Sequence, residues 1–277
     1  MTLPPTLTSL TNPRIKAAIR LRDRREREAT GKSIVDGPRE LLRALDAGVV
    51  VDEAFVCDRL VRTDEARAAV ARLAASAGFT SVSEAVIAKL AFGDRSDGVV
   101  AIVRIPSTSL GELGRFLRPE SLIVVVESVE KPGNLGAILR TADGAGADAV
   151  VAADARTDLF NPNTIRASLG TIFTVPVAAA SSAEVLAWLA ARGTRIVAAR
   201  VEAERQYTDC DLRGAVALVL GSEAEGLRTD WDDPRVETVR IPMRGTADSL
   251  NVSVAAAVLL YEALRQRTAA GPPQAAH

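Results

Sequence analysis

Short runs in the second half of the chain, LIVVVES, AVVAAD and AVALVLG, are apolar at almost every position. A strand with apolar side chains on both faces cannot leave one face in water, so it belongs to a mostly parallel sheet covered on both sides. Helical patterns separate these runs: one over 134–146 and another in SAEVLAWLAARG. TVPVAAA, RIVAAR and ETVRIP supply further strands, and a long helix over about Ser249 to Arg267 ends the series. The fold class is therefore α/β.

The first half alternates in shorter pieces. A helical pattern over Asn12 to Thr30 opens with Asn12 as N-cap and Pro13 at the first helical position. A strand follows around Ser33 to Val35, then a helix from Pro38 to Gly48 and a buried strand in VVVDEAFVC. RTDEARAAVARLAASAG reads as an amphipathic helix closed by Gly78, FTSVS as a short strand, Ser83 to Leu90 as a helix, and GVVAIVRIP as a strand. Residues 1–106 thus form a small α/β domain. The Pro, Ser and Gly content of PSTSLGELGRFLRPES marks a connector over 107–119, followed by a second domain over 120–270 and a tail, GPPQAAH, over 271–277.

Composition removes several chemistries. Of 277 residues 48% are apolar and 25% are charged, and no run reaches the ~18 apolar residues that a bilayer span needs. No basic segment leads into an apolar one at the N-terminus, so no secretory signal is expected and the location is cytoplasmic. Cys57 and Cys210 stand far apart, outside any C-x-x-C pair, and read as buried apolar residues; no metal site is expected. The one histidine is His277, the last residue, so Ser-His-Asp and Cys-His catalysis are excluded. With a net charge of −1 no global field favours a polyanion. The local sequence RIKAAIRLRDRRER is different: Arg14, Lys16, Arg20, Arg22, Arg24, Arg25 and Arg27 make either a solvated helix face or a surface that contacts RNA phosphates.

Ligands of open α/β sheets gather beyond the carboxyl ends of strands, and three strand exits are unusual. In EKPGNLGAILRTA, Gly133 and Gly136 permit close backbone approach, Asn134 can cap a helix, and Arg140 lies farther along it. In LVLGSEAEGL an apolar strand stops at Gly221 and is followed by Glu223 and Gly226; carboxylates here repel phosphate and suit a neutral or cationic ligand. In IPMRGTADSLNVSVAAAVLLYEALRQR, Ser249, Asn251 and Ser253 fall on the opening turns of a helix that is otherwise apolar. GAGADA matches a dinucleotide fingerprint by letters only, because it ends a helix and leads into a strand.

NLGAILRTA, LGSEAEGL and IPMRGTADSLNVSVA, in that order, resemble the three motifs of the SpoU family of RNA ribose 2′-O-methyltransferases in the SPOUT superfamily. The resemblance covers about Leu122 to Arg267 and is nearest to the ribosomal-RNA enzymes, antibiotic-resistance members included. It implies a SPOUT domain with a deep trefoil knot, an L30e-like RNA-binding domain before it, a homodimer, and S-adenosyl-L-methionine as cofactor. It gives Arg140, Asn134, Glu223, Ser249 and Asn251 catalytic or architectural roles, and places Leu220, Gly221, Gly226, Ile241, Met243 and Leu250 against the cofactor. It also implies ribosomal RNA as the partner, most plainly 23S rRNA. A tRNA ribose substrate, or an RNA-binding assembly factor without catalysis, are the alternatives.

Overall fold

The structure, a computed structural model, describes residues 6–92, 97–222 and 225–269. In chain order its first elements are α1 (Pro13–Arg20), α2 (Arg24–Thr30), β1 (Lys32–Asp36), α3 (Pro38–Asp46), β2 (Val51–Val56), α4 (Asp64–Ala75), β3 (Thr80–Ser81), α5 (Glu84–Leu90) and β4 (Val99–Arg104). Then come α6 (Leu110–Leu113), β5 (Leu122–Glu127), α7 (Pro132–Ala145), β6 (Ala149–Ala153), α8 (Pro162–Ala167), β7 (Val177–Ala180), α9 (Ser182–Ala191), β8 (Arg195–Ala199), β9 (Val216–Leu220), β10 (Val236–Val239) and α10 (Val252–Ala269). No helix among the described residues is long and apolar enough to cross a membrane.

The chain divides into two compact units. One takes in the residues up to Pro106 together with Asp158–Thr174, an excursion that sequence reading leaves with the C-terminal part. Its sheet has the order β1-β4-β2-β3; β4 runs antiparallel to β1 and β2, and β3 parallel to β2. The single helix expected over Asn12 to Thr30 is two helices. Leu21 turns into the core at 3% exposure, and the Asp23 carboxylate accepts from the Arg25 backbone N–H, so the helix stops and restarts. The excursion belongs to this unit through buried polar bonds. Arg27, 1% exposed, donates to Asp158 at 2.6 Å, and the Ser33 hydroxyl donates to the Phe160 carbonyl at 2.7 Å.

The other unit holds a six-stranded sheet of order β10-β8-β9-β5-β6-β7, with every neighbouring pair parallel. The uniformly apolar strands are its centre: every residue of β5, β6 and β9 is buried. Ile123, Val125, Val151 and Val219 pack with Val185, Leu186 and Leu189 of α9 on one face. The alternate residues face the other way, where α7 and α10 pack against each other and against the sheet. The expected connector contains α6, whose N-cap Ser109 accepts from the Glu112 N–H. Cys57 and Cys210 are buried, and burial pushes both thiols up from their ordinary range.

Candidate active site

Parallel strands put all their exits at one edge of the sheet, and in the second unit the exits of β5, β9 and β10 carry the three unusual segments. A cavity of about 360 Å³ opens there. Leu220, Gly221 and Gly226 line it from the β9 exit, Ile241 and Met243 from the β10 exit, and Ser249 and Leu250 from the run into α10. All six positions expected to hold a cofactor are therefore in one wall system. Gly221 is required by contact: a Cβ on it would lie 2.2 Å from the Gly226 carbonyl carbon. Gly226 takes φ +66°, and Ser222 and Gly226 bond each other N–H to C=O in both directions at 3.1 Å, closing the loop.

The segment Ile241–Leu250 is irregular, and among the described residues none of its backbone groups hydrogen-bonds within the chain. Backbone donors and acceptors beside a cavity are left for a ligand or solvent. Ser249 does not start the last helix. α10 begins at Val252, and the cap is Asn251, whose side-chain oxygen accepts from the Ser253 N–H at 3.0 Å and from the Ser253 hydroxyl at 2.6 Å. Its amide donates to Asn134 Oδ1 at 3.3 Å, which joins the first exit to the third. Asn134 is likewise not a cap, since α7 begins at Pro132 and places it inside the first turn. Asn134 lines a smaller pocket of about 230 Å³ that shares Gly221, Ser222 and Val252 with the large cavity.

Arg140 stands apart. It lies six residues beyond Asn134, which on a helix is ~120° around the axis and ~9 Å along it. It is exposed, lines neither pocket, and has no ion pair or hydrogen bond from its side chain among the described residues. Glu223 lies outside the described residues.

The site has a buried support that sequence reading misses. Glu127 closes β5 at 1% exposure, and its Oε1 accepts from the Ser182 hydroxyl at 2.8 Å and from Trp231 Nε1 at 3.0 Å. Its Oε2 accepts from the Arg228 N–H at 2.8 Å, anchoring the far end of the glycine loop. Glu127, Asp154 and Asp230 bring carboxylate oxygens within 4.8 Å of one another, but both Glu127 oxygens are already engaged. Glu127→Ala strands three donors and is expected to lower unfolding stability by about 2–4 kcal/mol; Glu127→Gln, which keeps one acceptor, costs less. Urea unfolding of both variants checks the order.

In the first unit the basic segment is partly committed to structure. Arg22 donates to the carbonyls of Lys89, Leu90 and Ala91 at the end of α5, and its guanidinium lies 4.8 Å from the Phe92 ring centre. Arg14 pairs with Glu53 and donates to Thr80, Arg20 pairs with Glu26, and Arg24 with Glu28. Lys16 and Arg25 are exposed and have no acidic partner among the described residues.

Residues 121–261 match the SpoU rRNA Methylase family model, a span that contains all three strand exits. The chain belongs to this family. Residues 12–101 match the MRM3-like substrate binding domain. Among SpoU relatives, a 23S rRNA (guanosine-2′-O-)-methyltransferase, RlmB, of Ralstonia nicotianae is 40% identical over 178 residues, 63% of this chain and 72% of that protein. A solved RNA 2′-O ribose methyltransferase is 43% identical, with TM-score 0.81, over 95% of this chain and 100% of that one. The AdoMet-bound rRNA methyltransferase from Sinorhizobium meliloti is 31% identical, with TM-score 0.84, over 94% and 97%.

Proposed function

We propose that this chain transfers a methyl group from S-adenosyl-L-methionine to a ribose 2′-hydroxyl of large-subunit ribosomal RNA, in the cytoplasm. One observation carries the reading. The β9 and β10 exits close on one cavity, the β5 exit lines the smaller pocket that adjoins it through Gly221, Ser222 and Val252, and a wall of the large cavity, Ile241–Leu250, uses none of its backbone polar groups in hydrogen bonds among the described residues. Such a wall suits a purine nucleoside read through backbone donors and acceptors, with Leu220, Ile241 and Leu250 as apolar contacts and Met243 beside them. The glycines at 221 and 226 keep the loop narrow. Bound there, the cofactor supplies a sulfonium methyl for in-line transfer to the ribose oxygen, a reaction that rests on alignment and on removal of one proton. The smaller adjoining pocket suits the acceptor nucleotide, with Asn134, Asn251 and Ser249 orienting its ribose. Glu223 keeps its catalytic assignment on the family motif alone.

Arg140 has a place in this scheme only if a second copy supplies it. On α10, Val254 and Tyr261 are 47% and 52% exposed and lie seven residues apart, hence on one face. A side chain at Gly144, one turn beyond Arg140 on α7, would begin 3.3 Å from the Tyr261 hydroxyl, so Arg140 borders that apolar face. Two copies paired through α7 and α10 form the homodimer of this proposal, and Arg140 of each then serves the pocket of the other. Its fork holds the acceptor phosphate and stabilises the developing alkoxide, while water or phosphate takes the proton; a guanidinium carries its charge throughout and is no base.

The finer fold belongs to the same reading: a trefoil knot formed where the chain returns from edge strand β10 to α10, and an L30e-like first domain, residues 1–106 with the excursion Asp158–Thr174, that grips RNA, joined through 107–119 to a catalytic domain made of the remainder of 120–270. In that first domain Lys16 and Arg25 are the phosphate contacts, with Arg14, Arg20 and Arg24 at their ion pairs and Arg22 holding α5. Reversing Lys16 or Arg25 to Glu should weaken RNA binding and flatten its salt dependence by about 0.7 per lost phosphate contact, with cofactor affinity unchanged. The deciding experiment is transfer of labelled methyl to separated 23S rRNA, 16S rRNA and tRNA. Label in 23S rRNA at one alkali-resistant bond is expected. Label in tRNA, or none in any RNA including ribosomal particles, would overturn the proposal.

A further inference from the structure

Arg156 follows the exit of β6, at an edge of the site. Its guanidinium donates to Glu130 at 2.5 Å and to Glu225 at 3.0 Å. Glu225 belongs to the loop that walls the cofactor cavity; Glu130 lies two residues before α7 and the helix turn that carries Asn134. The backbone beside Arg156 is itself fixed, because the Thr157 N–H donates to the Val129 carbonyl at 3.1 Å. Among the described residues between Gly221 and Arg228 there is no regular helix or strand, and the inner bonds are the Ser222–Gly226 pair and the Glu225 N–H to the Ser222 hydroxyl at 3.1 Å. Outside anchors are therefore what fix the loop's distance from the other exits. The Glu127 bond to the Arg228 N–H holds one end, and Arg156 holds Glu225.

We infer that Arg156 is a positioning residue, a clasp that holds the cofactor loop at a set distance from the entry of α7 so that the cofactor and acceptor halves of the site keep one geometry. The inference rests on the cavity being the S-adenosylmethionine site. All three side chains are about half exposed, so each pair alone contributes little; the effect comes from one planar fork spanning two loops.

The test is calorimetric binding of S-adenosylmethionine to the full chain without RNA, followed by steady-state methyl transfer. Arg156→Ala is expected to bind about five- to tenfold more weakly, to raise KM for the cofactor by the same factor and to change kcat less than about twofold. The melting temperature should hold within about 1 °C, since the contacts are at the surface. Arg156→Lys, able to reach one carboxylate at a time, falls between. Glu225→Gln should match Arg156→Ala, and the double variant should be no weaker than either, because each opens the same Glu130–Arg156–Glu225 bridge. Wild-type affinity in Arg156→Ala, or losses that multiply in the double variant, would overturn the clasp while leaving the methyltransferase reading intact. A parent protein that binds no S-adenosylmethionine would overturn that reading, and the clasp with it.

Discussion

Arg140→Ala is expected to bind S-adenosylmethionine as tightly as the parent protein and to transfer its methyl group about 100- to 1,000-fold more slowly. Unchanged binding follows from position, because Arg140 lines neither pocket of its own protomer. Slow transfer follows from the loss of a fixed cation at an oxygen that gains charge. Arg140→Lys keeps the charge but loses the planar two-point grip, and should remain at least about tenfold down. Turnover near the parent's in the lysine variant would show that charge alone suffices and would remove the clamp.

The second large effect is the reverse. Gly221→Ala places a Cβ 2.2 Å from the Gly226 carbonyl carbon, 2.3 Å from its oxygen and 2.4 Å from the Leu227 nitrogen, and backbone atoms cannot swing aside. The loop must shift, and cofactor binding should weaken by about ten- to a hundredfold, the equivalent of a 1–3 kcal/mol overpacking cost. Calorimetry reads this directly, and unfolding in urea separates it from a global loss. Combined, the two variants test the shared site. Coexpressed Arg140→Ala and Gly221→Ala chains should recover about a quarter of parent activity, because half of randomly paired dimers are mixed and one of their two sites is whole. No recovery would place Arg140 in its own protomer's site.

The sheet was legible because its strands are extreme: a run such as Leu122 to Val126 has no polar position to hide a second reading. The wall of the large cavity was legible for a related reason, since Gly221 ends the apolar strand β9 and Pro242 follows β10, where only a loop can continue. Helix starts were less so. Asn134 and Ser249 are good caps by residue type, yet Pro132 pre-sets the first turn of α7 and Asn251 outcompetes Ser249 by reaching the Ser253 N–H. Glu127, Trp231 and Arg156 left no local pattern, because each acts through partners 26 to 104 residues away. The break at Asp23 did have a signal: Asp with Glu26 three positions on is a helix-start pair, masked by the density of arginines around it.

The chain passes between its two units at 106/107, at 157/158 and again at 174/175. A nascent chain released only to residue 106 carries Arg27 toward the interior with Asp158 not yet made, and Ser33 with no Phe160 carbonyl to meet. The N-terminal unit therefore closes only after β5, α7 and β6 of its neighbour have left the ribosome. For the same reason it cannot be exchanged between relatives by one crossover: a fusion at residue 106 transplants a body that is missing its own counter-charge.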